Sequence, residues 1–102
     1  MPIRFRATVT VSRAKPILDG VRYMPNIVFD FTPERFGLTR LHDFESPFAA
    51  GETKVARLTM LGVPEFAALA EALSPGMKFG LFEGSHEVAR GVVDEVEERT
   101  LD

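Results

Sequence analysis

The sequence predicts an all-β fold: six or so antiparallel strands closing into a barrel, with one short helix near residues 64–73. Three observations predict it. Eight glycines and seven prolines punctuate the chain about every ten residues, the rhythm of short strands joined by turns. Several stretches alternate apolar and polar residues, which gives a strand one apolar face. Only one stretch has apolar residues at helical spacing. Closure into a barrel follows because it removes exposed strand edges.

Each element has its own signal. Phe5, Ala7, Val9 and Val11 alternate with Arg6, Thr8 and Thr10, a first strand with one apolar face. Residues 12–20, with Pro16, Ile17 and Leu18, read as a loop or a short irregular strand. Pro25 starts a strand over 26–31, with Ile27, Phe29 and Phe31 on one face. Its missing N–H costs little at a strand's first position. Residues 32–51 are loop-rich, with a short strand over 35–41 that places Phe36 and Leu38 together. Residues 53–61 form a strand with Ala56, Leu58 and Met60 opposite Val55, Arg57 and Thr59. Pro64 suits a first helical position, and Phe66, Leu69 and Leu73 then share a helix face. Ser74-Pro75-Gly76 stops it. Met77, Phe79 and Leu81 run up one arm of a hairpin, whose turn is Glu83-Gly84-Ser85-His86. Gly at the first central position fits a type II′ turn. The return strand over 87–96 places Val88, Val92 and Val96 on one face and Ala89, Gly91 and Val93 on the other. Residues 97–102 should fray.

With 102 residues and 11.3 kDa, the chain is one domain spanning 1–102. It has no cysteine, which removes disulfides, zinc–thiolate sites and thiol nucleophiles. No apolar run approaches the roughly 18 residues a membrane helix needs, and Met1-Pro2-Ile3-Arg4-Phe5-Arg6 lacks a signal peptide's apolar stretch. A cytoplasmic protein without a membrane partner is expected. The net charge of −3 is too weak to name a partner. Its distribution is uneven. Residues 1–40 hold seven Lys/Arg and three acids, and residues 41–102 hold five and twelve. Interleaving of strands from the two halves would erase that asymmetry.

Catalytic chemistry is sparse. His42 and His86 are the only two histidines. Ser85 and His86 are neighbours on a turn, and successive side chains diverge. His42-Asp43 has no second histidine at ligand spacing, so no metal is expected. Asp94, Glu95, Glu97 and Glu98 read as a solvated face. Gly51-Glu52-Thr53-Lys54 lacks the first glycine and the Gly-Lys-Ser/Thr order of a phosphate loop, so no nucleotide and no cofactor is expected. RNA binding keeps some support: Arg4, Arg6, Arg13, Lys15, Arg22 and Arg35 are basic, and Tyr23, Phe5 or Phe36 offer stacking rings.

Three stretches carry a resemblance. They are Pro16-Ile17-Leu18-Asp19-Gly20 through Pro25-Asn26-Ile27-Val28-Phe29, then Phe48-Ala49-Ala50-Gly51-Glu52, and Gly76-Met77-Lys78-Phe79-Gly80-Leu81-Phe82-Glu83-Gly84-Ser85 continuing to Val93. In this order they resemble the C-terminal, third domain of elongation factor Tu. The resemblance implies a six-stranded antiparallel barrel that does no chemistry. It also implies contacts with other protein domains and with the T-stem of aminoacyl-tRNA. No GTPase domain stands in the sequence, so GTP hydrolysis is not expected. Where the family carries basic residues, this chain has Asp30, Val63 and His86, which weakens an RNA role because phosphate contacts need positive charge. The expected function is therefore a non-enzymatic protein-interaction module with a protein partner or a second copy of itself. The alternative is a translation accessory factor that contacts tRNA or the ribosome, and a remote alternative is a small enzyme of unknown type. The residues nominated for such contacts are Arg4, Arg6, Arg22, Arg35, Glu83, Gly84, His86 and Arg90.

Overall fold

The alternation read in the first strand sets the architecture. In the computed structural model, which describes residues 2–101, β1 (Pro2–Val11) turns Ile3, Phe5, Ala7, Val9 and Val11 inward, all buried. The other strands are β2 (Asn26–Phe29), β3 (Arg35–Phe36), β4 (Arg40–His42), β5 (Thr53–Leu61), β6 (Lys78–Glu83) and β7 (His86–Arg99). They form one seven-stranded sheet in the order β3-β2-β6-β7-β1-β5-β4. Every ladder is antiparallel.

The sheet curls into a half-barrel and does not close as a six-stranded barrel. Its edges are β3 and β4, yet only Gly37, Leu38 and Thr39 separate them in sequence. Four Cα steps reach at most about 14 Å, so the two edges lie near each other. The curl also brings the Phe5 ring 6.0 Å from that of Phe29 and 5.7 Å from that of Phe79, although β1 and β2 are three places apart in the sheet. No ladder joins β3 to β4 among the described residues. The connecting segment occupies the seam, with Leu38 in the left-handed region at φ 57°. The Leu41 N–H donates to the Tyr23 carbonyl (3.4 Å), which covers the outer side of β4.

Three strand expectations need correction. The single strand over 35–41 is two strands, and Leu38 between them is 56% exposed instead of sharing the buried face of Phe36. β2 ends at Phe29, and Phe31 lies in the following turn, half-exposed. β7 runs through Arg99 instead of fraying after Val96. Its register against β1 shifts twice, so Val93 and Val96 meet Ala7 and Phe5 while Val92 faces solvent. Each extra residue of a β-bulge reverses which side chains point inward. Val88 and Ala89 are both buried, beside the register shift against β6.

The hairpin and helix follow the sequence reading. Gly84 has φ 60° and Ser85 has no positive φ, the type II′ pattern. Pro64 opens a 3-10 turn (Pro64–Phe66) that runs into α1 (Ala67–Ala72). Leu69, Ala70 and Leu73 are buried, and the Phe66 ring meets that of Phe36 edge-on at 4.9 Å. Among the described residues no helix is long and apolar enough to cross a membrane.

Candidate functional site

The outward faces of β4, β5, β1 and β7 align in cross-strand rows. One row runs Arg40, Thr59, Arg4, Glu98, and the next runs His42, Arg57, Arg6, Glu95. Neighbouring strands lie about 4.8 Å apart, so adjacent members interact. Arg6 pairs with Glu95 at 3.0 Å, and Arg4 with Glu98 at 3.6 Å. Arg57 binds Glu97 through two nitrogens (2.8 and 3.1 Å) and reaches Asp43 at 3.5 Å. The fork-like geometry suits a carboxylate. The Arg57 hydrogen bond holds the Glu97 carboxyl below its ordinary pKa, and the same bond raises the Arg57 guanidinium.

Thr59 sits at the centre of these rows. Its Oγ1 accepts from Arg4 Nε (3.3 Å) and meets His42 Nε2 at 2.6 Å, while His42 Nδ1 lies 3.4 Å from Asp43 Oδ1. A neutral imidazole with its proton on Nδ1 satisfies all four groups. The order hydroxyl, imidazole, carboxylate matches that of a nucleophilic triad. Here the Thr59 hydroxyl also accepts from Arg4 Nε, so it is shared between two strands. The line ties β4 to β5 and β1.

Two cavities adjoin this line. One, about 510 Å³, is lined by Arg4, Arg40, His42, Asp43, Arg57 and Glu97. The other, about 280 Å³, is mostly apolar, lined by Pro2, Met24, Leu38 and Leu61 with Arg40, Thr59 and Met60. Arg40 lines both. Leu38 and Leu61 are 56% and 46% exposed.

The nominated residues divide into separate places. At the β6–β7 hairpin, Arg13 Nε lies 2.6 Å from Glu83 Oε2, and the Tyr23 hydroxyl donates to the same oxygen. The Arg13 guanidinium stacks 5.1 Å over the Tyr23 ring. Arg35 donates to the Gly84 carbonyl at 2.5 Å and lies over the Phe82 ring. The Tyr23 hydrogen bond lowers the Glu83 pKa, and burial together with that carboxylate pushes the Tyr23 phenol above its ordinary value. Arg90 pairs with Asp30 and Glu87, at 3.1 and 3.0 Å. His86, Ser85 and Gly84 are exposed at the turn, and Arg22 and Lys15 are exposed in the loop before β2. Arg4 and Arg6 lie in the rows already described.

Phe5 and Phe36 are buried and offer no ring for stacking. The ion pairs also dissolve the charge asymmetry between the two halves, since Arg4, Arg6, Arg13 and Asp30 all pair with residues beyond position 82. Lys54 of the Gly51–Lys54 stretch donates to the Glu45 and Pro47 carbonyls and stays within its own loop. The fourfold association of Leu38, Arg40, His42 and Thr59 has no local signature: it depends on pairing between β4 and β5, and then β5 and β1. Among the described residues no group of three His, Asp or Glu is placed to hold a metal. No known family model matches the chain, and no curated protein matches it.

Proposed function

We propose that this chain is a non-catalytic β-sheet domain that works by protein contact, resembling the third domain of elongation factor Tu in that role. The observation that carries the reading is the apolar cavity of Pro2, Met24, Leu38 and Leu61, left exposed beside a face on which Arg4, Arg6 and Arg57 bind the chain's own acids. RNA binding requires cations free to displace counterions from phosphates. Of the cations offered for it, Arg4, Arg6, Arg13 and Arg90 are held by carboxylates and Arg35 by a carbonyl and a ring, which leaves Lys15 and Arg22 exposed. Apolar surface at a rim of polar residues is the mark of a protein interface. Its partner is a second copy of the chain or another protein.

Sedimentation of the purified chain, together with capture from an extract of its source cells, tests the reading. Self-association or a specific bound protein is expected, weakened by Leu38→Glu and untouched by Val55→Glu on the far end of β5. A strict monomer that captures no protein would contradict it. tRNA binding that falls with salt, and falls further on charge reversal at Arg22 and Arg35, would favour the translation-accessory reading.

A further inference from the structure

The same cleft specifies what its partner presents. Resting on the interaction reading above, we propose that it takes a peptide segment with an apolar side chain next to a carboxylate side chain. The apolar side chain enters the cavity of Pro2, Met24, Leu38 and Leu61, and the carboxylate meets Arg40.

Charge complementarity carries the choice. The Arg40 side chain is exposed and makes neither a hydrogen bond nor an ion pair among the described residues. The other two arginines of the polar cavity are engaged: Arg57 by Glu97 and Asp43, Arg4 by Thr59 and Glu98. One open guanidinium at the junction of an apolar and a polar cavity matches one carboxylate held by an apolar body. A guanidinium fork is the best side chain for planar, two-point carboxylate recognition. A polyanion fits poorly, because Asp43 and Glu97 also line the polar cavity.

Backbone geometry gives independent support. Leu38 (φ 57°) and Asp43 (φ 55°) bracket β4, and no other described non-glycine residue has a positive φ. A bulky residue in that region is strained. At Leu38 the strain holds an apolar side chain out in solvent instead of in the core. Asp43 is of a type that enters this region readily, and its carboxylate lies near both His42 and Arg57. Strain of this kind persists where surrounding structure enforces it, and it clusters at ligand clamps.

The test is an amide-resolved NMR titration of the full chain with three acetylated, amidated hexapeptides. They carry Glu-Leu, Gln-Leu or Glu-Ala at their centre and are otherwise identical. The Glu-Leu peptide should shift Leu38–His42 and Leu61 and bind roughly tenfold tighter than the Gln-Leu peptide, as a charge-assisted contact implies. Arg40→Gln should erase the preference for Glu over Gln, and Arg90→Gln should keep it. Equal affinity for all three peptides would overturn the proposal, as would an unchanged preference in Arg40→Gln. So would displacement of the Glu-Leu peptide by a short RNA at the same amides. If the peptides fail while Leu38→Glu still disrupts self-association or capture, the interaction reading stands and only this specification falls.

Discussion

At the residue scale, the contacts that define this molecule involve groups of unusual constraint. Gly91 on β7 lies under the Phe79 ring, and a β-carbon there would overlap the ring atoms. Phe79 is fully buried against Phe5 and Phe29 and has no room to withdraw. Gly91→Ala is therefore expected to destabilise by about 2 kcal/mol, the usual cost of overpacking, as read by urea denaturation. Thr39 poses the opposite case. It is fully buried, and its hydroxyl has no hydrogen-bond partner among the described residues. An unmade buried hydrogen bond costs roughly 1–3 kcal/mol, so Thr39→Val should raise stability in the same assay.

The Tyr23–Glu83 pair gives a pH signature. Glu83 has a lowered folded pKa, so its contribution is present above the ordinary carboxylate range, about 4.3, and is lost as pH falls through the folded value. Tyr23 has a raised folded pKa, so its contribution is full below about pH 10 and is lost as pH climbs toward the folded value. Tyr23→Phe should flatten the stability profile at both ends, more at the alkaline end. Unchanged profiles would show that the pair is not formed in solution.

At the scale of elements, β4 and β7 show where sequence reading succeeds and where it stops. β1, β5 and the helix were legible because each is regular: a period of two, or three apolar residues on a helix face after a proline. The hairpin was legible because glycine alone meets its turn without strain. β7 was half-legible. Its bulges arise from pairing with β1, and a local pattern of valines carries no trace of a partner's register. Residues 35–41 misled for a related reason. Phe36 and Leu38 have strand spacing, but the segment must join opposite edges of the sheet, and a left-handed residue makes that turn. Asparagine tolerates this backbone far better than leucine. Leu38→Asn is thus expected to stabilise the fold by about 0.5–1 kcal/mol while weakening partner binding, a trade-off typical of binding sites. Parallel thermal melts and binding titrations read both effects. Lower stability with intact binding would contradict it.

At the scale of the whole molecule, the unclosed seam leaves no loose structure. The radius of gyration is 12.5 Å, against about 13 Å for a compact domain of this length. The three-residue link and the Tyr23 carbonyl stand where a further ladder would stand in a closed barrel. The candidate site lies beside this seam, where Met24, Leu38 and Arg40 meet the ends of β1 and β5. No composition or motif marks it. Of the seven basic residues in the first forty, Arg4, Arg6, Arg13 and Arg35 are engaged in the fold, and Lys15, Arg22 and Arg40 are exposed without a side-chain partner among the described residues, Arg40 alone of them beside the cavity.

The central claim is that this seam-side cleft is where a protein partner docks. Photo-crosslinking from a reactive analogue placed at position 38, with position 55 as control, tests it most directly in the cells that make the protein. The account predicts a discrete protein adduct from position 38 alone, whose crosslinked peptide carries an apolar residue beside an acid. Equal labelling from both positions, an RNA adduct, or no adduct from position 38 would contradict it.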